Sequence, residues 1–94
     1  FVSGEYRRNI YLTVKEALHN VVKHARAHNV HLVIETVGAL TIIIQDDGIG
    51  LDEKNIRRFS NGLDNMKKRI SSIGGELRIQ NINGTTIAFS VPLP

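Results

Sequence analysis

The spacing of apolar residues switches from a period near 3.6 to a period of about 2, twice within 94 residues. From Arg8 to Arg26, Ile10, Val14, Ala17, Leu18, Val21, Val22 and Ala25 recur at three- and four-residue steps, which predicts an amphipathic helix. Val30, Leu32 and Ile34 then alternate with His31, Val33 and Glu35, and after Gly38 the row Leu40, Ile42, Ile44 alternates in the same way. That pattern predicts an antiparallel hairpin. The second cycle starts with a helix over 63–73, carrying Leu63, Met66, Ile70 and Ile73 on one stripe and stopped by Gly74-Gly75. Two strands follow, one with Leu77 and Ile79 and one with Ile87, Phe89 and Val91. The tight-turn signal Asn83-Gly84 joins them and Pro92 ends the second. Between the cycles, the polar stretch from Leu51 to Asn61 mixes both charge signs with little periodicity and reads as a mobile loop.

Helices on one face of a mostly antiparallel sheet make an α+β two-layer sandwich. A chain of this length buries only about 60–65% of its unfolded surface, so two layers and one domain over 1–94 are the practical limit. Composition narrows the function classes. Apolar residues at 41% and charged residues at 22% fit a soluble domain, and no apolar run approaches the roughly 20 residues of a membrane span. Twelve Lys and Arg face nine Asp and Glu, with aromatics at 5%, so a basic stripe interleaved with stacking rings is missing and no nucleic-acid partner is expected. The pI near 9.6 equally suits a polyphosphate ligand. No cysteine is present, which removes disulfides and thiolate metal sites and favours a reducing, cytoplasmic setting. The start at Phe1 reads as that of an excised fragment with no signal peptide to discount.

Chemistry concentrates in four places. On a wheel of about 100° per residue, Glu16, Asn20 and Lys23 fall within about 60° of one another at the border of the apolar sector. There they offer a metal ligand, an oriented water and a phosphate contact, or simply a solvated face with a helix-end lysine. Asp46 keeps parity with Leu40, Ile42 and Ile44, so it either points into the core, where an adenine amine is a fitting donor, or caps a turn beside Gly48. The stretch Asp46-Asp47-Gly48-Ile49-Gly50 lets the backbone approach a ligand. It is no calcium loop, because its aspartates do not alternate and no glutamate stands at the twelfth position. Gly62 precedes the second predicted helix, whose N-terminal N–H groups form an anion site or merely end the loop. Thr85 follows Asn83-Gly84, and its hydroxyl either reaches a base or does nothing.

Taken in order, the segments from Glu16 to His24, from Asp46 to Gly50 and from Asn61 to Met66, with Gly84-Thr85, resemble the boxes of the GHKL ATPase superfamily with its Bergerat-type fold. That superfamily groups gyrase, a heat-shock chaperone, histidine kinases and a mismatch-repair ATPase. The match is nearest to short sensor kinases whose regulators carry helix-turn-helix output domains, and it covers Arg8 to Pro92. The resemblance implies ATP and Mg²⁺ as ligands. It implies Asn20 as the Mg²⁺ ligand, Glu16 as the group orienting a water or assisting proton removal, and Lys23 and His24 as phosphate contacts. Asp46 would read adenine, with Thr85 near the base. Gly48, Ile49 and Gly50 would hinge a lid over Leu51 to Asn61, and Gly62 and Leu63 would form the phosphate-side turn. Ser60 stands where many members have the first glycine of Gly-x-Gly-Leu, which narrows backbone freedom at the lid's end.

The implied reaction moves the ATP γ-phosphoryl group to a histidine on a separate dimerisation domain of the same parent, then to a response regulator. None of the four histidines here is expected to accept phosphate. The fragment itself is expected to make no membrane contact, whether or not its parent is an inner-membrane sensor. A protein-serine kinase of the same superfamily and a degenerate binding module are the alternatives.

Overall fold

The computed structural model describes residues 3–22, 29–48, 53–80 and 84–93, with 53–61 described through their backbone alone. The elements run α1 (Gly4–Asn20), β1 (Val30–Thr36), β2 (Ala39–Asp46), α2 (Glu53–Ser71), β3 (Glu76–Gln80) and β4 (Thr86–Pro92). Helix α1 starts four residues before the expected Arg8, because Ser3 caps it: the Ser3 hydroxyl accepts the Tyr6 N–H at 3.0 Å. Beyond Asn20 the described residues Val21 and Val22 form a π-type turn, a form frequent at functional sites.

All three strand pairings are antiparallel, in the order β1-β2-β4-β3. The register sets Ile44 opposite Leu32 on one side and opposite Ile87 on the other, so the alternating apolar rows share one face. Against that face lie Ala17 of α1 and Met66 and Ile70 of α2, which close a core with Ile42, Ile44, Leu77, Ile87, Phe89 and Val91. Each fully buried large side chain contributes about 1.5–3 kcal/mol. Both helices lie on this one face, as the α+β reading requires. The edge strand β1 differs from the alternation it was read from: all seven residues are exposed, because no described helix covers it.

The larger difference is α2, which begins at Glu53 rather than beyond Gly62. From residue 53 onward the polar stretch read as a loop is helical. Glu, Lys and Arg are good helix formers, and Ile56, Phe59, Leu63, Met66 and Ile70 stand at alternating steps of three and four, continuing the stripe through Gly62. One interior glycine costs only about 1 kcal/mol, less than the burial of Met66 and Ile70 on this helix supplies. The helix ends where expected, with Gly74 at φ 84°.

Polar tethers join elements that are distant in sequence. The Tyr6 hydroxyl donates to the Pro92 carbonyl at 3.0 Å. Asn9 donates through Nδ2 to the Arg69 carbonyl at 3.0 Å and to the Ser72 hydroxyl at 2.8 Å, fixing α1 against the last turn of α2. Thr13, fully buried, satisfies its hydroxyl on the Asn9 carbonyl at 2.7 Å.

Candidate functional site

Strand β2 pairs through to Asp46, which faces Val30, so its parity places the carboxylate on the core side. It is 4% exposed at the end of the buried row. The Asp46 Oδ1 accepts the Gly48 N–H at 2.9 Å and the Thr85 N–H at 3.3 Å, while the Asp46 N–H donates to the Thr85 carbonyl at 3.0 Å. Both readings made from spacing therefore hold together: the carboxylate points inward and also caps the turn at Gly48. No described donor reaches Oδ2, so the acid keeps an acceptor for another group. Gly84 explains how Thr85 comes so close. Its φ is 110°, and a Cβ there would run into the Asp46 carbonyl.

On α1, Asn20 carries the most informative polar atom. Its Nδ2 is buried with no hydrogen-bond partner. An orphaned buried amide of this kind is costly in a resting structure and needs an explanation. Among the described residues no bond engages the amide oxygen, and a neutral amide oxygen is a suitable hard ligand for Mg²⁺. The residues present thus fit that ion in company with nucleotide phosphates, which supply the other oxygen ligands.

Glu16 sits one turn before Asn20, half-buried, against the backbone of α2: a Cβ on Gly62 would lie 2.6 Å from its Oε1. The structure thus brings Glu16 and Gly62 together, and it brings Asp46, Gly48 and Thr85 together at the sheet end. Leu63 packs half-buried against the core. It does not give Gly62 and Leu63 the free amides of a helix start, because both lie inside α2, where an interior N–H is taken up by the carbonyl four residues before it. Lys23, His24, Ile49 and Gly50 lie outside the described residues, as do Leu51 and Asp52 of the expected lid.

Two features escaped sequence reasoning. Asp47, next to the buried acid, grips Asn29 with both carboxylate oxygens, from Asn29 N and Nδ2 at 2.9 Å each, tying the start of β1 to the end of β2. An adjacent acidic pair was the only signal. His19, three residues after Glu16 on α1, lines one groove with Glu16, Leu12, Lys15 and Arg69. The packing of α2 beside α1 creates that groove, and nothing local in the sequence marks it.

The family described as histidine kinase-, DNA gyrase B-, and HSP90-like ATPase matches residues 5–94. The signal transduction histidine-protein kinase/phosphatase DegS of Brevibacillus brevis is 39% identical over 87 residues, covering 89% of this chain and 22% of its own length. Sensor histidine kinase YvfT of Bacillus subtilis strain 168 is 34% identical over 85 residues, with the same shares of 89% and 22%. The chain spans about a fifth of the length of these curated relatives. Among solved structures, the histidine kinase domain of the blue-light activated kinase from Erythrobacter litoralis EL346 superposes with a TM-score of 0.74 at 27% identity, covering 90% of this chain and 43% of that one. The Acinetobacter baumannii histidine kinase AdeS reaches a TM-score of 0.77 at 17% identity over 93% of this chain and 47% of its own, a likeness of fold alone. The α+β arrangement described above is that of histidine kinase catalytic domains.

Proposed function

The chain belongs to the histidine kinase-, DNA gyrase B-, and HSP90-like ATPase family, and on that premise we propose that its 94 residues form the ATP-binding catalytic domain of a bacterial sensor histidine kinase. In this reading it binds Mg²⁺-ATP and delivers the γ-phosphoryl group to a histidine on the dimerisation domain of its parent, which then passes it to a response regulator. The observation that carries the proposal is the buried Asp46 carboxylate, held by Gly48 and Thr85 through one oxygen only. A rigid inward acceptor at the end of a sheet suits the exocyclic amine of adenine and disfavours a carbonyl at the same position.

Phosphoryl transfer depends on positioning and charge neutralisation more than on covalent chemistry by the protein, so the residues have separable tasks. Asp46 fixes the base, with the Thr85 hydroxyl beside it. Asn20 supplies an oxygen ligand to Mg²⁺, and bound Mg²⁺ supplies neutralisation of phosphate charge. Glu16, half-buried one turn away, orients a water or assists proton removal from the acceptor imidazole. Lys23 and His24 contact phosphates. Gly48, Ile49 and Gly50 hinge the segment that leads into α2, and Gly62 with Leu63 receives phosphate oxygens once their amides are released from the helix. The site works in the cytoplasm, where ATP and a response regulator are both available. No described helix is long and apolar enough to cross a membrane.

The test incubates the chain with γ-labelled ATP, alone and with the dimerisation and phosphohistidine segment of its parent. Acid-labile label on the added segment and none on this chain is the expected result. Acid-stable label would instead identify a serine kinase, and label lost in His19→Gln would place the acceptor within these residues.

A further inference from the structure

The groove between α1 and α2 has a charge balance that the nucleotide reading does not use. Leu12, Lys15, Glu16 and His19 of α1 line it at helical steps of three, one and three residues, and Arg69 of α2 closes it, enclosing about 240 Å³. Among the described residues the only ion pair joins Arg78 and Glu76, so Lys15 and Arg69 enter the groove without a carboxylate partner, and Glu16 is the single acid lining it. Arg69 is held in place by its own backbone, since its carbonyl accepts from Asn9 Nδ2 at 3.0 Å and from the Ser72 hydroxyl at 2.8 Å. Among the described residues the groove therefore sets the side chains of Lys15 and Arg69 against one carboxylate, between two helices tethered to each other.

Its position separates it from the proposed nucleotide. Asn20, with its buried amide, lies on the core side of Glu16, whereas Lys15 and His19 are exposed on the other side. A group that meets Lys15 and Arg69 arrives from outside the domain and comes to rest beside Glu16. An acceptor imidazole must make that approach, because transfer in line needs it about 3–3.5 Å from the γ-phosphorus. The carrier of that imidazole must then touch the surface next to Glu16. We propose that this groove docks the phosphoacceptor segment by an acidic side chain received between Lys15 and Arg69, with Leu12 beneath its aliphatic part. The proposal rests on the kinase reading above and names a docking contact for it. Unpaired cations at the rim of a site raise encounter rates and select partners by charge, and both effects weaken with salt.

The experiment measures binding of the parent's dimerisation and phosphohistidine segment to this chain by fluorescence anisotropy, which needs no phosphotransfer. Mg²⁺-ATP affinity is titrated separately, and KM and kcat for the segment are measured with labelled ATP. Lys15→Glu, exposed and remote from the core, and Arg69→Glu are each expected to weaken segment binding and raise its KM about tenfold or more. Mg²⁺-ATP affinity should stay within about twofold, and Lys15→Arg should behave as wild type. Wild-type binding should also fall with added NaCl. Unchanged segment binding in both charge reversals overturns the proposal, and so does a parallel loss of Mg²⁺-ATP affinity, which would make the cations phosphate contacts. A wild-type chain that binds the segment without transferring acid-labile label would sink the kinase reading, while the anisotropy series would still judge the groove.

Discussion

Asp46 and Thr85 hold each other across the end of the sheet: the Asp46 N–H donates to the Thr85 carbonyl at 3.0 Å, and the Thr85 N–H donates to Asp46 Oδ1 at 3.3 Å. A residue that terminates β2 is thereby locked to the residue that precedes β4, 39 positions later. The carboxylate keeps a fixed orientation without help from a ligand, which is the condition for reading a base rather than adapting to it.

Replacing Asp46 by asparagine keeps an acceptor for Gly48 and Thr85 but presents an amide donor, or a weaker acceptor, to the base. We expect Asp46→Asn to fold and to lose most of its preference for ATP over GTP, because a hydrogen bond to a charged group contributes about 1.5–3 kcal/mol. Nucleotide titration with both triphosphates checks this. A variant that retains the wild-type preference would show that Asp46 serves the turn alone.

Gly84→Ala tests the other side of the same junction. A φ of 110° is strained for alanine, and the added methyl meets the Asp46 carbonyl, so the backbone must shift. A loss of at least about 1–3 kcal/mol in urea unfolding is expected, with weakened nucleotide binding because Asp46 moves too. An unchanged unfolding midpoint would mean that the junction relaxes freely.

Much of this was legible in the sequence for a physical reason. Apolar periodicity reports which face is buried, and it located the core rows of β2, β4 and α2 and the inward direction of Asp46. What it does not report is where polar residues find partners. Asn9 and Thr13 break the apolar stripe of α1 yet are buried, because Asn9 finds acceptors 60 and 63 residues away. The first nine residues of α2 were read as a loop because charge and a glycine obscured a stripe that continues through them. The exposed apolar side chains of β1 alternate correctly, but alternation cannot say whether a covering layer exists.

Asn20→Ala separates stability from ligand binding. An unpaired buried donor costs about 1–3 kcal/mol, so removing the amide should leave the melting temperature of the unliganded chain unchanged or raised. The same variant should bind nucleotide worse mainly when Mg²⁺ is present. Equal weakening with and without Mg²⁺, together with a lower melting temperature, would make Asn20 a structural residue.

The continuity of α2 through Gly62 sets the last expectation. In this structure the amides of Gly62 and Leu63 are interior to a helix that starts at Glu53, so they can receive phosphate only if the residues before them unwind. Nucleotide binding then competes with helix formation across these residues. Ser60→Gly lowers helix propensity by about 0.5 kcal/mol and should tighten Mg²⁺-ATP binding about twofold, provided the loop state is the one that binds. Gly62→Ala should do the reverse, since alanine favours the helix by about 1 kcal/mol and its methyl group, 2.6 Å from Glu16 Oε1, meets only the far end of a flexible side chain that can swing aside. Far-UV circular dichroism during the titration should show helical signal falling as Mg²⁺-ATP binds. Binding with no loss of helix, and with Ser60→Gly no tighter than wild type, would mean that phosphate is held without the amides of Gly62 and Leu63.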